Sequence, residues 1–298
     1  MKDAATWVMA YRHRQTAVIT ALFLVPLGIV VSVGVATASV LAHGVGGALP
    51  VLSGSLLILA VAGLVGPTHG LGLAAMSAAV LAGALFLGWL LRKTESLTLT
   101  VQISALIAMT GIVLFYVGIG DPQAFWVKWA QASPIFNQTG WEPTESQAEI
   151  LSDSIRQLAL FGTGIAGSAW WLLGVIGLVF GYHLWDIARD ESESRFGRFR
   201  DLNLGRALAV LLLLQALLAA LMGSTGVVAN TAWVSIFAFS VHGVALVHWA
   251  QKKWKLPTMI LPAAYVLYPL GMWQLMSLAG YVDSWFNFSR RQPEAPDT

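Results

Sequence analysis

The fold class is decided by residues 15–91, which read QTAVITALFLVPLGIVVSVGVATASVLAHGVGGALPVLSGSLLILAVAGLVGPTHGLGLAAMSAAVLAGALFLGWLL. These 77 residues contain no Asp, Glu, Lys or Arg. A bilayer core is crossed by about 20 apolar residues of helix, so this stretch alone holds several membrane segments. Over all 298 residues, 57% are hydrophobic and 11% charged, against roughly 25% charged in soluble domains. The chain is therefore an integral membrane protein.

Four further charge-free runs follow, at residues 96–120, 157–185, 207–251 and 256–282, and the five runs together hold 203 residues. We expect an all-α, polytopic transmembrane bundle of about eight or nine membrane segments, forming a single membrane domain over residues 1–298. A net charge of +2 is far from a basic groove, so nucleic-acid binding is excluded. No metalloprotease, serine-hydrolase, P-loop or dinucleotide motif occurs, and we predict no enzymatic activity.

Orientation follows from the basic residues, which concentrate on the cytoplasmic side of membrane proteins. Thirteen of the 17 Lys and Arg are inside if the N-terminus and residues 92–96, 186–206 and 251–255 are cytoplasmic. The acidic segment 121–156 then lies outside, and residues 256–282 cross outward. We predict a multi-pass protein of the bacterial cytoplasmic (inner) membrane with its N-terminus in the cytoplasm.

The first run must cross an even number of times in this topology. Four full spans of about 20 residues would leave no room for turns, so some segments must be short or re-entrant. Breaks are predicted at Pro26 with Gly28, between Gly44 and Pro50, and from Gly66 to Gly70.

The outer segment 121–156 has the pattern of a folded cap. Asp121 precedes a proline suited to the first helical turn, and Phe125, Trp126 and Trp129 then share one face of an amphipathic interfacial helix. Residues 144–147, Thr-Glu-Ser-Gln, have the spacing of a capping box, so a second helix is expected from about residue 145.

The cytoplasmic loop 186–206 contains five Arg and five acidic residues. A solvated connection of mixed charge explains this composition, and a surface for a cytoplasmic partner is the alternative.

Small residues form two stripes. Gly167, Gly174 and Gly181 recur every seven residues, nearly two helical turns, and Gly177 makes a GxxxG pair with Gly181, so another helix can approach closely. Packing is the favoured interpretation, and a substrate path is the alternative. Ala17 and Ala21 make a second small-xxx-small pair on the first apolar helix.

Histidine is the only residue type suited to bind a metal or haem here, since the chain has no cysteine. His242 and His248 are six residues apart and point about 120° away from one another, so we predict no metal and no cofactor. His242 lies nearest mid-membrane and is a candidate for ligand binding, because an intramembrane polar residue is costly. Asp283 ends the last apolar run and is read as an interfacial anchor. No carboxylate is expected within a span, which argues against a proton-driven pump.

The chain resembles the YybS-like family of uncharacterised bacterial integral membrane proteins. The similarity covers essentially the whole length and is carried by residues 8–12 (VMAYR), 90–97 (LLRKTESL), 196–202 (FGRFRDL) and 278–288 (LAGYVDSWFNF). That family is similar to the substrate-binding S components of energy-coupling factor transporters. The resemblance implies that Ala17 and Ala21 meet a membrane coupling protein. It also implies a solute site beneath the outer cap, with Trp126, Trp129 and Trp141 over it.

Two functions follow from these observations. The first is a membrane-embedded solute-binding or transport-associated protein without ATPase activity of its own, its ligand unknown. The alternative is a membrane scaffold or assembly partner that acts through helix packing and the charged cytoplasmic loop. The lipid bilayer is the partner common to both.

Overall fold

A computed structural model describes residues 2–25, 27–65, 70–133, 144–189, 195–223 and 225–289. Every regular element in these ranges is helical. The α-helices are α1 Lys2–Met9, α2 Arg12–Phe23, α3 Gly28–Val65, α4 Gly70–Thr94, α5 Leu97–Ile119, α6 Pro122–Ala132, α7 Glu145–Ala159, α8 Gly162–Arg189, α9 Gly205–Met222, α10 Val227–Lys253, α11 Ile260–Leu267 and α12 Trp273–Phe286. Short helical turns of 3₁₀ and π type occupy Phe199–Asp201 and Tyr268–Met272.

Six of the described helices are long and apolar enough to cross a membrane. They are Gly28–Val65, Gly72–Thr94, Leu97–Ile119, Gly162–Arg189, Gly205–Met222 and Val227–Lys253. The chain is therefore a multi-pass membrane protein with an all-helical fold. It divides into two compact units: Met1–Val101 with Leu172–Leu202, and Gln102–Trp171 with Asn203–Thr298.

In the first unit, α3 is interrupted at Gly44, whose φ of 73° and ψ of 176° lie outside the helical region. Before the break, α3 runs antiparallel to α2. Gly28 abuts the backbone of Leu22, and the Ser32 hydroxyl donates to the carbonyl of Ile19 at 2.9 Å. Later residues of α3 thus meet earlier residues of α2.

After the break, the direction of α3 relative to α2 is reversed. Gly47 lies beside the Arg12 guanidinium, and the carbonyl of Val51 accepts from the Thr16 hydroxyl at 3.5 Å. The predicted break at Gly44 is confirmed, and it is a reversal of the chain between two antiparallel helical halves. The predicted break at residues 66–70 lies mostly outside the described residues, as does Pro26.

In the second unit, α10 is the central helix and is more buried than the other five long helices. The segment after α10 first runs antiparallel to it. Tyr265 hydrogen-bonds His248 at 2.8 Å, and Tyr268 hydrogen-bonds Ser240, about two turns nearer the start of α10.

The chain then reverses at Tyr268–Met272, where Gly271 adopts a φ of 111° that suits glycine. Trp273 stacks on Phe237 with ring centroids 5.1 Å apart, and the Ser277 hydroxyl donates to the Ile236 carbonyl at 2.9 Å. Gly280 packs on Phe239, further along α10. We call α11, the π turn and α12 the C-terminal hairpin (Ile260–Phe286).

Both ends of the C-terminal hairpin therefore lie toward the end of α10. The far end of α12 also meets the start of α9, since Arg206 donates to the Trp285 carbonyl at 3.4 Å. The predicted single outward crossing of residues 256–282 would need one continuous helix, whereas the structure has two helical segments joined by a reversal. The sequence of residues 256–282 is uninterrupted by charge. The turn is made at Gly271, which the hydropathy pattern does not distinguish from its neighbours.

The two helices of the segment 121–156 begin where the sequence predicts. The Asp121 carboxylate accepts from the Ala124 backbone N–H at 3.0 Å and so caps α6. At α7, the Thr144 backbone N–H donates to the Gln147 side chain at 3.0 Å in a capping box. Both helix starts are thus fixed by local side-chain hydrogen bonds.

Candidate functional site

The site begins with a close crossing of α10 and α12. A Cβ added to Gly243 would collide with the carbonyl of Met276, and one added to Gly280 would collide with the carbonyl of Phe239. The two backbones therefore touch at these glycines, as small residues allow at membrane helix interfaces. Side chains one turn away from the crossing are brought within hydrogen-bonding distance.

One such pair is His242 on α10 and Asp283 on α12. Their side chains are 0% and 1% exposed, and His242 Nε2 lies 3.1 Å from Asp283 Oδ2. Burial of an ionisable pair in a membrane bundle is expensive unless its hydrogen bonds are complete.

Three further donors complete the shell of the Asp283 carboxylate. Oδ2 accepts from Asn203 Nδ2 at 3.1 Å and from the Ser289 hydroxyl at 2.8 Å. Oδ1 accepts from the Ser289 backbone N–H at 3.0 Å. Both oxygens are bonded to donors, the arrangement that suits an ionised carboxylate.

The other ring nitrogen of His242 faces a hydroxyl. Nδ1 lies 3.3 Å from Ser284 Oγ, which also donates to the Gly280 carbonyl at 3.0 Å. Serine, histidine and aspartate are the residue types of a nucleophilic triad. Here the Ser284 hydroxyl is fully buried, and an acyl substrate has no approach to it in this structure. We call His242, Asp283, Ser284, Asn203 and Ser289 the His–Asp cluster.

A tight turn closes the His–Asp cluster at the end of α12. Asn287 has a φ of 51°, a left-handed conformation that asparagine tolerates, and its N–H donates to the Asp283 carbonyl at 2.7 Å. Asn203 also donates to the Asn287 side chain at 3.3 Å. The turn over residues 287–289 thus covers the carboxylate and supplies two of its donors through Ser289.

The interpretation of Asp283 as an interfacial anchor is wrong, because its carboxylate is buried against α10. The expectation that no acidic side chain is buried is wrong for the same reason. The sequence did carry a signal: Gly280, Asp283 and Ser284 lie at i, i+3 and i+4, so they share one helix face. Small and polar residues together on one face indicate a packed interface.

A second buried polar node lies near the start of α10. Asn230 is fully buried, accepts from the Gly164 backbone N–H at 2.6 Å and donates to the Tyr116 hydroxyl at 2.8 Å. Its Nδ2 carries two hydrogens and also has the carbonyls of Leu160 and Gly226 within reach, so one hydrogen is shared between acceptors. Asn230 therefore ties α10 to α5 and to the start of α8.

The aromatic residues of the predicted cap are brought together in part. Trp126 and Trp129 have ring centroids 5.7 Å apart. The Trp126 indole N–H donates to Thr163 at 2.8 Å, and its ring lies against Gly162. Trp129 is 59% exposed. Trp141 lies outside the described residues, and the described partners of His242 are those of the His–Asp cluster.

The glycine stripe of α8 contacts neighbouring helices of its own chain. In the first unit, Gly174 faces Leu87, Gly177 faces Val33 and Gly181 faces the backbone of Gly34. In the second unit, Gly167 faces Ile112. Ala17 and Ala21, by contrast, are exposed on α2.

Within the described ranges, no group of three or more His, Cys, Asp or Glu side chains is placed to hold a metal ion. The His–Asp cluster has one imidazole and one carboxylate, both already engaged with hydrogen-bond partners. Its chemistry is therefore that of protons and hydrogen bonds.

Comparisons of the chain with protein-family models, with curated proteins and with solved structures found no match.

Proposed function

We propose that this chain is a membrane-embedded solute-binding or transport-associated protein, with the C-terminal hairpin and α10 as its working element. The observation that carries the proposal is the buried His242–Asp283 pair at the crossing of a membrane helix and a broken helix. Ionisable residues within membrane bundles mark solute and ion pathways by default, because a bilayer interior penalises them.

The shape of the C-terminal hairpin supports the same function. Backbone that breaks and reverses within a membrane bundle is tolerated where it is covered by protein or lines a cavity. Discontinuous helices of this kind form the binding sites of many transporters. The break at Tyr268–Met272 lies beside Ser240, near the middle of α10.

The topology we propose has eight spans and a re-entrant segment. The spans are α2, the two halves of α3 on either side of Gly44, α4, α5, α8, α9 and α10, and the C-terminal hairpin enters and leaves on the side where α10 ends. The distribution of Lys and Arg favours a bacterial inner membrane in which that side and the N-terminus face the cytoplasm. The segment 121–156 is then the outer cap.

The resemblance to S components points to a small-molecule ligand. The aromatic group formed by Phe125, Trp126 and Trp129 on the outer segment has the amphipathic character that suits such a ligand or the membrane interface. We expect the ligand to bind in the second unit.

The test is ligand binding by the purified full-length chain. Native mass spectrometry of protein freshly extracted in mild detergent is expected to detect a stoichiometric small molecule. A library of vitamins and cofactors is expected to contain a compound that raises the melting temperature. Asp283→Asn should weaken that shift, and Asp153→Asn, which changes an exposed carboxylate on α7, should leave it unchanged. A clean negative in both assays contradicts the proposal.

A second candidate is an assembly partner, favoured by the exposure of Ala17 and Ala21. The glycine stripe of α8 is occupied within the chain, so α2 is the small-residue face open to another membrane protein. Crosslinking in native membranes should capture one stoichiometric partner, and Ala21→Leu should abolish its capture. Ala263→Leu, which changes another exposed alanine, on α11, is the matched control. Equal capture by both variants contradicts this function.

A further inference from the structure

The hydrogen bonds of His242 define where its protons lie. A carboxylate only accepts hydrogen bonds, so Nε2, which faces Asp283 Oδ2 at 3.1 Å, carries a hydrogen. The charge of the ring is then decided at Nδ1. That nitrogen has one described partner, Ser284 Oγ at 3.3 Å.

The Ser284 hydroxyl has a single hydrogen and two acceptors within reach. If it donates to the Gly280 carbonyl, at 3.0 Å, its lone pairs face Nδ1, and a hydrogen bond there requires a protonated, cationic ring. If the hydroxyl rotates to donate to Nδ1, the ring is neutral. The site thus satisfies His242 in two protonation states that differ by one proton and one hydroxyl rotation.

We propose that His242 is a proton-binding site, and that its proton locks the C-terminal hairpin and the turn over residues 287–289 onto α10. The inference goes beyond the proposed function and does not depend on whether a solute binds.

The locking follows from the change in charge. With the proton bound, an imidazolium faces the Asp283 carboxylate as an ion pair, whereas the neutral ring offers the carboxylate only a hydrogen bond; the proton therefore adds a coulombic attraction between α10 and α12. Loss of the proton weakens the contact between α10 and α12. The turn is coupled to the same contact, because Ser289 donates twice to the Asp283 carboxylate. The turn therefore moves with α12 when the weaker pair lets α12 separate from α10, and this movement gives water and protons access to the buried ring.

Other charged and titratable groups on the neighbouring elements have different described partners. Arg206 of α9 donates to the Trp285 carbonyl, and Tyr281 of α12 packs on Phe239. Tyr265 of α11 bonds His248, and Tyr268 of the π turn bonds Ser240. Asn203 and Ser289 are neutral. Among the described contacts, Asp283 is thus the charged group that faces the His242 ring.

The competing interpretation is a core histidine that keeps one protonation state throughout. That interpretation predicts a hairpin whose position is independent of pH. The two are separated by a nitroxide spin label on the single cysteine of Phe288→Cys, in full-length protein in nanodiscs. Phe288 is 51% exposed and lies in the turn, and the chain has no other cysteine.

We expect the ratio of mobile to immobile label to rise severalfold as the pH is raised, because the deprotonated ring holds α12 less tightly. His242→Gln should abolish this dependence. His248→Gln, which changes another histidine of the same helix, should keep it. A flat profile in the parent protein overturns the proposal, as does an unchanged profile in His242→Gln.

Ser284→Ala provides a second test should His242→Gln fail to fold. It removes the hydroxyl but leaves the His242–Asp283 pair. The protonated Nδ1–H then lacks its acceptor, and a charged donor without a partner is the costlier state. The midpoint of the mobility change should therefore move to lower pH. A midpoint that stays in place shows that the proton is not held at Nδ1 and overturns the proposal.

Discussion

Gly280→Ala tests the backbone contact on which the His–Asp cluster depends. The new methyl group would collide with the Phe239 carbonyl and would lie 2.9 Å from the Gly243 backbone N and 3.1 Å from the His242 Cβ. Most of these atoms belong to the α10 backbone and cannot rotate away. Because carbon atoms normally pack at about 3.5–4.0 Å, α12 must move by roughly 1 Å.

Two costs follow from that movement. Overpacking of a close interface costs about 1–3 kcal/mol. The same shift would stretch the His242–Asp283 hydrogen bond from 3.1 Å beyond hydrogen-bonding range, and loss of a bond to a charged group adds about 1.5–3 kcal/mol. We expect Gly280→Ala to lower the melting temperature by at least about 5 °C.

The assay is thermal unfolding in one detergent, followed by loss of monodisperse protein in size-exclusion chromatography. Gly111→Ala is the matched control, since Gly111 lies on α5 with no atom within 4 Å of an added Cβ. Alanine has the higher helix propensity, so the control should be neutral or slightly stabilising. Equal melting temperatures for the two variants would refute the close crossing of α10 and α12.

Three further substitutions probe other contacts of the second unit by the same unfolding assay. Asn230→Ala removes the amide that joins α10 to α5 and α8. Because its buried partners are left unpaired, the free energy of unfolding should fall by about 2–4 kcal/mol, and a fall of less than about 1 kcal/mol would contradict that role. Thr163→Val strands the indole N–H of Trp126 and should cost about 1 kcal/mol, whereas an unchanged stability would show that water replaces the hydroxyl. Tyr268→Phe removes the hydroxyl at the hairpin tip and should lower the free energy of unfolding by about 1 kcal/mol. It should also raise the mobile fraction of a label at residue 288; an unaffected label would show that the tip is not coupled to the turn over residues 287–289.

The membrane class of the chain could be predicted because it depends on local composition. Runs without charge gave the long helices, and the break at Gly44 followed from a cluster of glycines and a nearby proline. The helix starts at Asp121 and Thr144 were also predictable, because a capping hydrogen bond joins residues that are three apart.

The reversal of the C-terminal hairpin could not be predicted in this way. It depends on which residues of α10 and α12 meet, and His242 and Asp283 are 41 residues apart. An aspartate at the end of an apolar run suits an interface and a buried pair equally well. Contacts across the bundle decide between them, and hydropathy carries no information about those contacts.

The groups that individual aromatic rings contact could not be predicted from the sequence either, for a related reason. Trp126, Trp129 and Phe125 were correctly assigned to one helix. Whether an indole covers a ligand or packs on protein depends on what faces it. For Trp126 that neighbour is Gly162, a residue whose lack of a side chain makes room for the ring.

In the proposed topology, the segment after α10 returns to the membrane side from which it came, and so brings Asp283 to His242. Side-specific cysteine labelling tests this return. Trp254→Cys and Phe288→Cys place single thiols at exposed positions before and after the C-terminal hairpin, 61% and 51% exposed in the parent residues. A membrane-impermeant maleimide should label both from the same face, in inverted but not in right-side-out vesicles. Labelling of the two positions from opposite faces would contradict the re-entrant hairpin.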